Sequence, residues 1–146
     1  MEKIKIKQVD WQDKLDDIKM IRFLVFQQEQ GIDAALEFDG YDRNCDHLLV
    51  YLESQAVGTA RIRYLTSTSV KIERLAVLYQ ARKQGIGTKL MRKALEIIEA
   101  KKTYQEIIIH AQVYLQSMYE KLGFDPVGDR FEEAGIVHIK MVRPKK

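Results

Sequence analysis

The stretch Val70-Lys71-Ile72-Glu73-Arg74-Leu75-Ala76-Val77 runs, by way of Arg82-Lys83-Gln84-Gly85-Ile86-Gly87-Thr88, into a segment with helical periodicity. There Ile86, Leu90, Ala94 and Ile97/Ile98 recur on one helical stripe. The reading is strand, glycine turn, amphipathic helix. The first backbone N–H groups of a helix have no intrahelical partner, and the helix dipole adds positive potential at that end. Gly85 and Gly87 let a ligand come close to the backbone, while Arg82, Lys83 and Gln84 add donors. Together these features make a pyrophosphate cradle. Two common phosphate motifs are excluded by spacing. Gly85 and Gly87 stand too close for a Walker loop, and Leu90 occupies the place of the third glycine in the dinucleotide fingerprint.

Working outward, the chain reads as one domain over residues 1–146 with no repeat, linker or low-complexity tract. A hydrophobic content of 46% and a charged content of 31% are those of an ordinary globular protein. The net charge of +3 is too small to argue for nucleic acid. With Cys45 as its lone cysteine the chain forms no internal disulfide, which suits a reducing compartment. No apolar run reaches membrane-spanning length, so no membrane association and a cytoplasmic location are expected.

Ile4 and Ile6 alternate with lysines as in a half-buried strand, and Asp10 to Asp13 hold turn and cap residues. Lys14 to about Gln28 has helical spacing, and Gly31 to Asp46 is an irregular, acid-rich stretch. His47–Leu52 and Val57–Leu65 read as a hairpin, with Val70–Leu78 as the third strand of a meander. After the cradle helix, Ile107-Ile108-Ile109 reads as a buried strand and Tyr114–Lys121 as a short helix closed by Gly123. Phe124–Val127 and Ile136–Val142 read as the last two strands. The fold class is α/β (α+β), a mixed, mostly antiparallel sheet flanked by helices. The connection from Val77 to Ile107 is long enough for a right-handed parallel crossover, which sets the glycine turn at the carboxyl end of a strand.

Arg82-x-x-Gly85-x-Gly87 after a strand resembles the acyl-coenzyme A signature of the GNAT N-acetyltransferases. Tyr119-Glu120-Lys121-Leu122-Gly123-Phe124 is similar to the Tyr-x-x-x-Gly-Phe segment of that family. Many members carry Asn seven residues before the tyrosine, where this chain has Gln112. The segments Val25–Gln30, Ala111-Gln112 and Glu133–His138 resemble the ElaA-like branch. The resemblance implies a fold with the third meander strand splayed from the Ile107–Ile109 strand, and acetyl-coenzyme A as co-substrate. It implies that the main chain of Leu75, Ala76 and Val77 holds the thioester and pantetheine arm. The turn Arg82, Lys83, Gln84, Gly85, Ile86, Gly87 and Thr88 would hold the pyrophosphate, with Gln112 and Tyr119 also on the coenzyme side.

Acetyl transfer to an amine needs a neutral amine, a stabilised oxyanion and a proton for the leaving thiolate. Tyr119 suits the last task, because a phenol stays protonated at neutral pH; packing at a helix end is its alternative role. Glu73, two residues before Leu75, and Glu29, at the end of the early helix, are both candidates for the base. His47, His110 and His138 have no metal-ligand spacing, and no metal is expected. His110 and His138 lie in strands, where a satisfied core or surface role is favoured over a place in the site. Cys45 is disfavoured as a nucleophile. The acids Glu29, Asp33, Glu37, Asp39, Asp42 and Asp46 surround a single base, Arg43; such a stretch is ordinarily a solvated loop, and the resemblance, which sets this region at the acceptor pocket, implies instead an acidic rim attracting a cationic amine. The leading expectation is an N-acetyltransferase acting on a small-molecule or protein amine. A non-catalytic acyl-coenzyme A sensor is the alternative, a nucleic-acid or phosphate module is disfavoured, and a homodimeric state stays open.

Overall fold

A computed structural model of the chain describes residues 3–145. The alternating N-terminal segment forms β1 (Ile4–Val9), an edge strand antiparallel to β2 (Asp46–Leu52). Asp10 caps α1 (Trp11–Arg22), its carboxylate accepting the Gln12 N–H at 3.3 Å. The helix therefore starts before Lys14, where the backbone bends (φ −119°, ψ 21°). It runs on into a wider π-helical segment, Phe23–Glu29, a winding that apolar periodicity alone does not distinguish from α. Ile18, Ile21, Val25 and Phe26 from this stretch are buried. The acid-rich stretch contains a short α-helix, α2 (Ala34–Glu37), capped by Asp33, and a single 3-10 turn over Asp42–Asn44.

Strand β2 turns through Glu53 and Ser54, both at positive φ, into β3 (Gln55–Tyr64), and β4 (Ser69–Val77) completes the meander. Helix α3 (Ile86–Glu99) crosses over to β5 (Glu106–Gln112), which is parallel to β4. The short helix α4 (Gln116–Glu120) precedes the hairpin of β6 (Asp125–Glu133) and β7 (Ile136–Pro144), and β7 pairs antiparallel with β5. The result is a seven-stranded sheet in the order β1-β2-β3-β4-β5-β7-β6, antiparallel except at β4–β5. Strand β6 runs well past the expected Val127, because an irregularity between Val127 and Phe131 lets pairing resume up to Glu133.

The helices α1 and α3 cover opposite faces. On the α3 face, a Cβ at Gly58 would lie 3.4 Å from Leu90 and 3.3 Å from the Ala76 carbonyl, so glycine lets the helix seat. Three residues later on the same strand, Arg61 points to the other face, toward the α1 side. The parallel register joins Ser69–Lys71 to Glu106–Ile108 and goes no further. Beyond it, Arg74 (φ 55°) and Leu75 both stand opposite Ala60, a bulge that bends β4. The edge of β4 from Ile72 to Val77 is thus left without a partner on the β5 side, and a cleft opens there.

Candidate active site

The cleft has a volume of about 160 Å³ and is walled by β4, β5, the end of the π-helical segment and the β6–β7 hairpin. Leu75, Gln112 and Tyr119 line it, as does Met91 of α3. Gln112 donates to the Gln30 side chain at 3.2 Å, tying β5 to the residue after the π-helical segment. Tyr119 is buried, with its ring edge-on to Phe124 at 6.2 Å. Burial pushes its hydroxyl well above the ordinary phenol value, so the group holds its proton throughout the neutral range.

The glycine turn is open. Gly85 is the N-terminal cap residue of α3 at φ 74°, and Cβ atoms built on Gly85 or Gly87 would meet nothing within 4 Å. The N–H groups before Lys89, whose amide makes the first helical bond to the Gly85 carbonyl at 3.0 Å, are those that a helix start leaves unpaired. Unpaired helix-start N–H groups and open space at both glycines suit a diphosphate at this turn. Lys83 and Gln84 are exposed beside it, whereas Arg82 is engaged. Arg82 donates to the Val77 carbonyl at 2.9 Å and makes two 2.5 Å bonds to Glu29.

Glu29 is therefore an ion-pair partner of the turn and does not line the cleft. The Arg82 hydrogen bond holds its carboxyl below the usual range. Glu73 does line the cleft, but cations crowd it: Arg61 Nε at 2.9 Å, Arg63 Nε at 3.2 Å and Lys71 Nζ at 3.2 Å. Burial acts to raise its pKa, yet the Arg61 charge and hydrogen bond, with Lys71 and Arg63, hold it below the usual carboxylate range. A carboxylate so satisfied is a weak proton acceptor.

The expected acidic rim is corrected by the fold. Glu37 and Asp42 are buried, with Arg22 held between them and Arg61 also on Asp42. Asp39 pairs with Arg61 at 2.8 Å and Arg74 at 3.0 Å. The acids are neutralised by arginines distant in sequence, which a count over Glu29–Asp46 alone does not reveal. Cys45 donates its S–H to the Tyr41 carbonyl at 3.2 Å, and burial pushes its thiol up to about 11, so it is inert as a nucleophile. Among the described residues, no group of three His, Cys, Asp or Glu is placed to hold a metal ion.

His110 and His138 both line the cleft, contrary to the favoured reading of them as packing residues. Glu133 stands between them, its Oε1 3.1 Å from His110 Nδ1 and its Oε2 3.8 Å from His138 Nε2. Sequence reasoning passed over Glu133, Lys71 and Arg74 as site residues. The spacing within each strand carried the histidine signal, but only the pairing of β7 with both β5 (Gln112 opposite His138) and β6 (Glu133 opposite Ile136) brings Glu133 to them.

The sequence model of the Acetyltransferase (GNAT) domain matches residues 23–144. The chain belongs to the GNAT acetyltransferase family. Its relatives include YyaT of Bacillus subtilis, 37% identical over 141 residues, covering 94% of each chain. ElaA of Escherichia coli is 33% identical over 150 residues, covering 92% of this chain and 96% of ElaA, in keeping with the ElaA-like resemblance. The crystal structure of ElaA superposes with a TM-score of 0.86 at 29% identity, covering 97% and 99% of the two chains. That of an acyl-CoA N-acyltransferase from Pseudomonas aeruginosa gives 0.82 at 28% identity, covering 98% and 99%. The mixed sheet and its flanking helices are those of the GNAT fold.

Proposed function

We propose that this GNAT protein transfers an acetyl group from acetyl-coenzyme A to a primary amine of a small molecule or protein by direct attack. The observation that carries the reading is the open glycine turn at the start of α3, which follows a strand, β4, whose edge has no partner and borders the cleft from Ile72 to Leu75. The description of the Pseudomonas aeruginosa relative as an acyl-CoA N-acyltransferase supports a thioester donor. The N–H groups of Gly85, Ile86, Gly87 and Thr88, with Lys83 and Gln84, would bind the coenzyme's pyrophosphate. The main chain of Leu75, Ala76 and Val77 would hold the pantetheine arm and the thioester carbonyl, alongside Gln112. Bound there, the thioester supplies an activated acetyl group. Tyr119, kept protonated by burial, is the proton donor to the leaving sulfur.

Native mass spectrometry with added acetyl-coenzyme A, followed by a thiol-release screen over a primary-amine library, tests this. Binding with amine-dependent thiol release is expected. Binding without release from any amine would point to a sensor instead.

A further inference from the structure

We propose that His110 is the catalytic base of this transfer and Glu133 the positioning carboxylate that sets its tautomer; the assignment rests on the acetyl-transfer reading above. His110 lies on the cleft wall two residues before Gln112, on the same side of β5. Its Nδ1 is 3.1 Å from Glu133 Oε1. The His110 hydrogen bond holds the Glu133 carboxyl below the usual range, so at neutral pH the carboxylate only accepts. In the neutral His110 imidazole Nδ1 therefore carries the hydrogen and Nε2 the lone pair. The ring is also braced by packing, since Phe131 stands edge-on to it at 5.1 Å and 78°. Phe131 in turn stacks on His138 at 5.9 Å, and the His138 Nδ1–H donates to the Ile136 carbonyl at 2.7 Å.

The competing acids do not serve as well. Glu73 is held by three cations, and Glu29 lies outside the cleft on Arg82. His110 shares the cleft with Tyr119, so a base and an acid border one cavity. As the acceptor nitrogen forms its C–N bond to the acetyl carbon, His110 Nε2 takes one N–H proton. The C–S bond breaks with its electron pair going to sulfur, which receives the Tyr119 hydroxyl proton. Solvent then carries one proton from the imidazolium to the phenolate, restoring both groups. This is the arrangement in which a carboxylate orients an imidazole that does the proton transfer.

Side-chain 15N NMR of the full chain, assigned with His110→Gln, reads the tautomer directly. The Nδ1–H form is expected for His110, with a shift toward Nε2–H in Glu133→Ala; an Nε2–H form in the wild type overturns the proposal. Thiol release is then followed with acetyl-coenzyme A and an amine that the wild type accepts. His110→Ala should lose about a hundred- to ten-thousandfold in kcat, with partial rescue by added imidazole and unchanged coenzyme affinity. Glu133→Gln should lose about ten- to a hundredfold in kcat with KM unmoved. Wild-type turnover in both His110→Ala and His110→Gln, or a loss that imidazole does not rescue, overturns the base assignment alone. A wild type that releases thiol in response to none of the amines overturns the acetyl-transfer reading itself, and with it this role, before any variant is compared.

Discussion

Tyr119 carries two separable properties, a ring that packs on Phe124 and a hydroxyl whose proton burial retains. Tyr119→Phe keeps the first and removes the second. Turnover should fall about ten- to a thousandfold with coenzyme affinity unchanged, as steady-state kinetics and calorimetry would read. Wild-type turnover in the Phe variant would assign Tyr119 to packing. At Glu29 the expectation runs the other way. Its carboxylate occupies the Arg82 guanidinium, for which an anionic coenzyme would compete. Both partners are partly exposed, so the pair is worth little. Glu29→Gln should tighten acetyl-coenzyme A binding by at most about fivefold in calorimetry. Weaker binding would mean that Glu29 acts by holding Arg82 in place.

At the scale of elements, helix α3 and its glycine start carry the coenzyme hypothesis. Gly85 has φ 74° and open space at its Cβ, so Gly85→Asp meets no clash and pays only a backbone cost of about 1 kcal/mol. The variant should fold with a melting temperature within a few degrees of wild type, while its carboxylate repels the diphosphate. Acetyl-coenzyme A affinity should drop by about tenfold or more. Unchanged calorimetric affinity in a folded Gly85→Asp protein would sink the cradle. This element was legible in the sequence because a glycine pair before an amphipathic stripe is a local signal. The π-helical winding of Phe23–Glu29 was not, since its apolar residues satisfy an α pattern equally well.

At the scale of the whole molecule, one ion-pair network joins distant segments under α1. Arg22 and Arg61 are fully buried, and Asp39, Asp42, Glu37 and Glu73 surround them. Removing Arg61 takes a cation from Asp39, Asp42 and Glu73 at once, leaving them only Arg74, Arg22, and Arg63 with Lys71. Arg61→Ala should cost about 3–5 kcal/mol in a urea titration. Asp39→Asn with Asp42→Asn should likewise destabilise the fold, where an exposed acidic rim would have left stability unchanged. The network also sets the pH response. Burial holds the His47 imidazole below its ordinary value, so it resists protonation in the fold while the unfolded chain takes up a proton below about pH 6.5. Stability present above that pH is therefore lost as pH falls. Asp39, Asp42 and Glu73, held low by their arginines, act in the same direction further down, below about pH 4. Urea midpoints should be level between about pH 7 and 8, decline below that and fall steeply under pH 4. A midpoint that rises on acidification would contradict this.

Periodicity and turn chemistry were enough to read the meander, the crossover and the glycine turn, because each depends on residues within one element or between neighbours in the chain. The place of Tyr119 after Gln112 was legible for the same reason. Partnership was not. Which cations hold Glu73, that Glu29 spends its charge on Arg82, that the acids of residues 37–42 face inward, and that Glu133 meets His110 all depend on sheet register and on the bulge at Arg74. Hydrophobic burial selects which face of a strand turns inward and is legible locally. The electrostatic state of a carboxylate is decided by charges within a few ångströms, and only the tertiary structure brings those charges together.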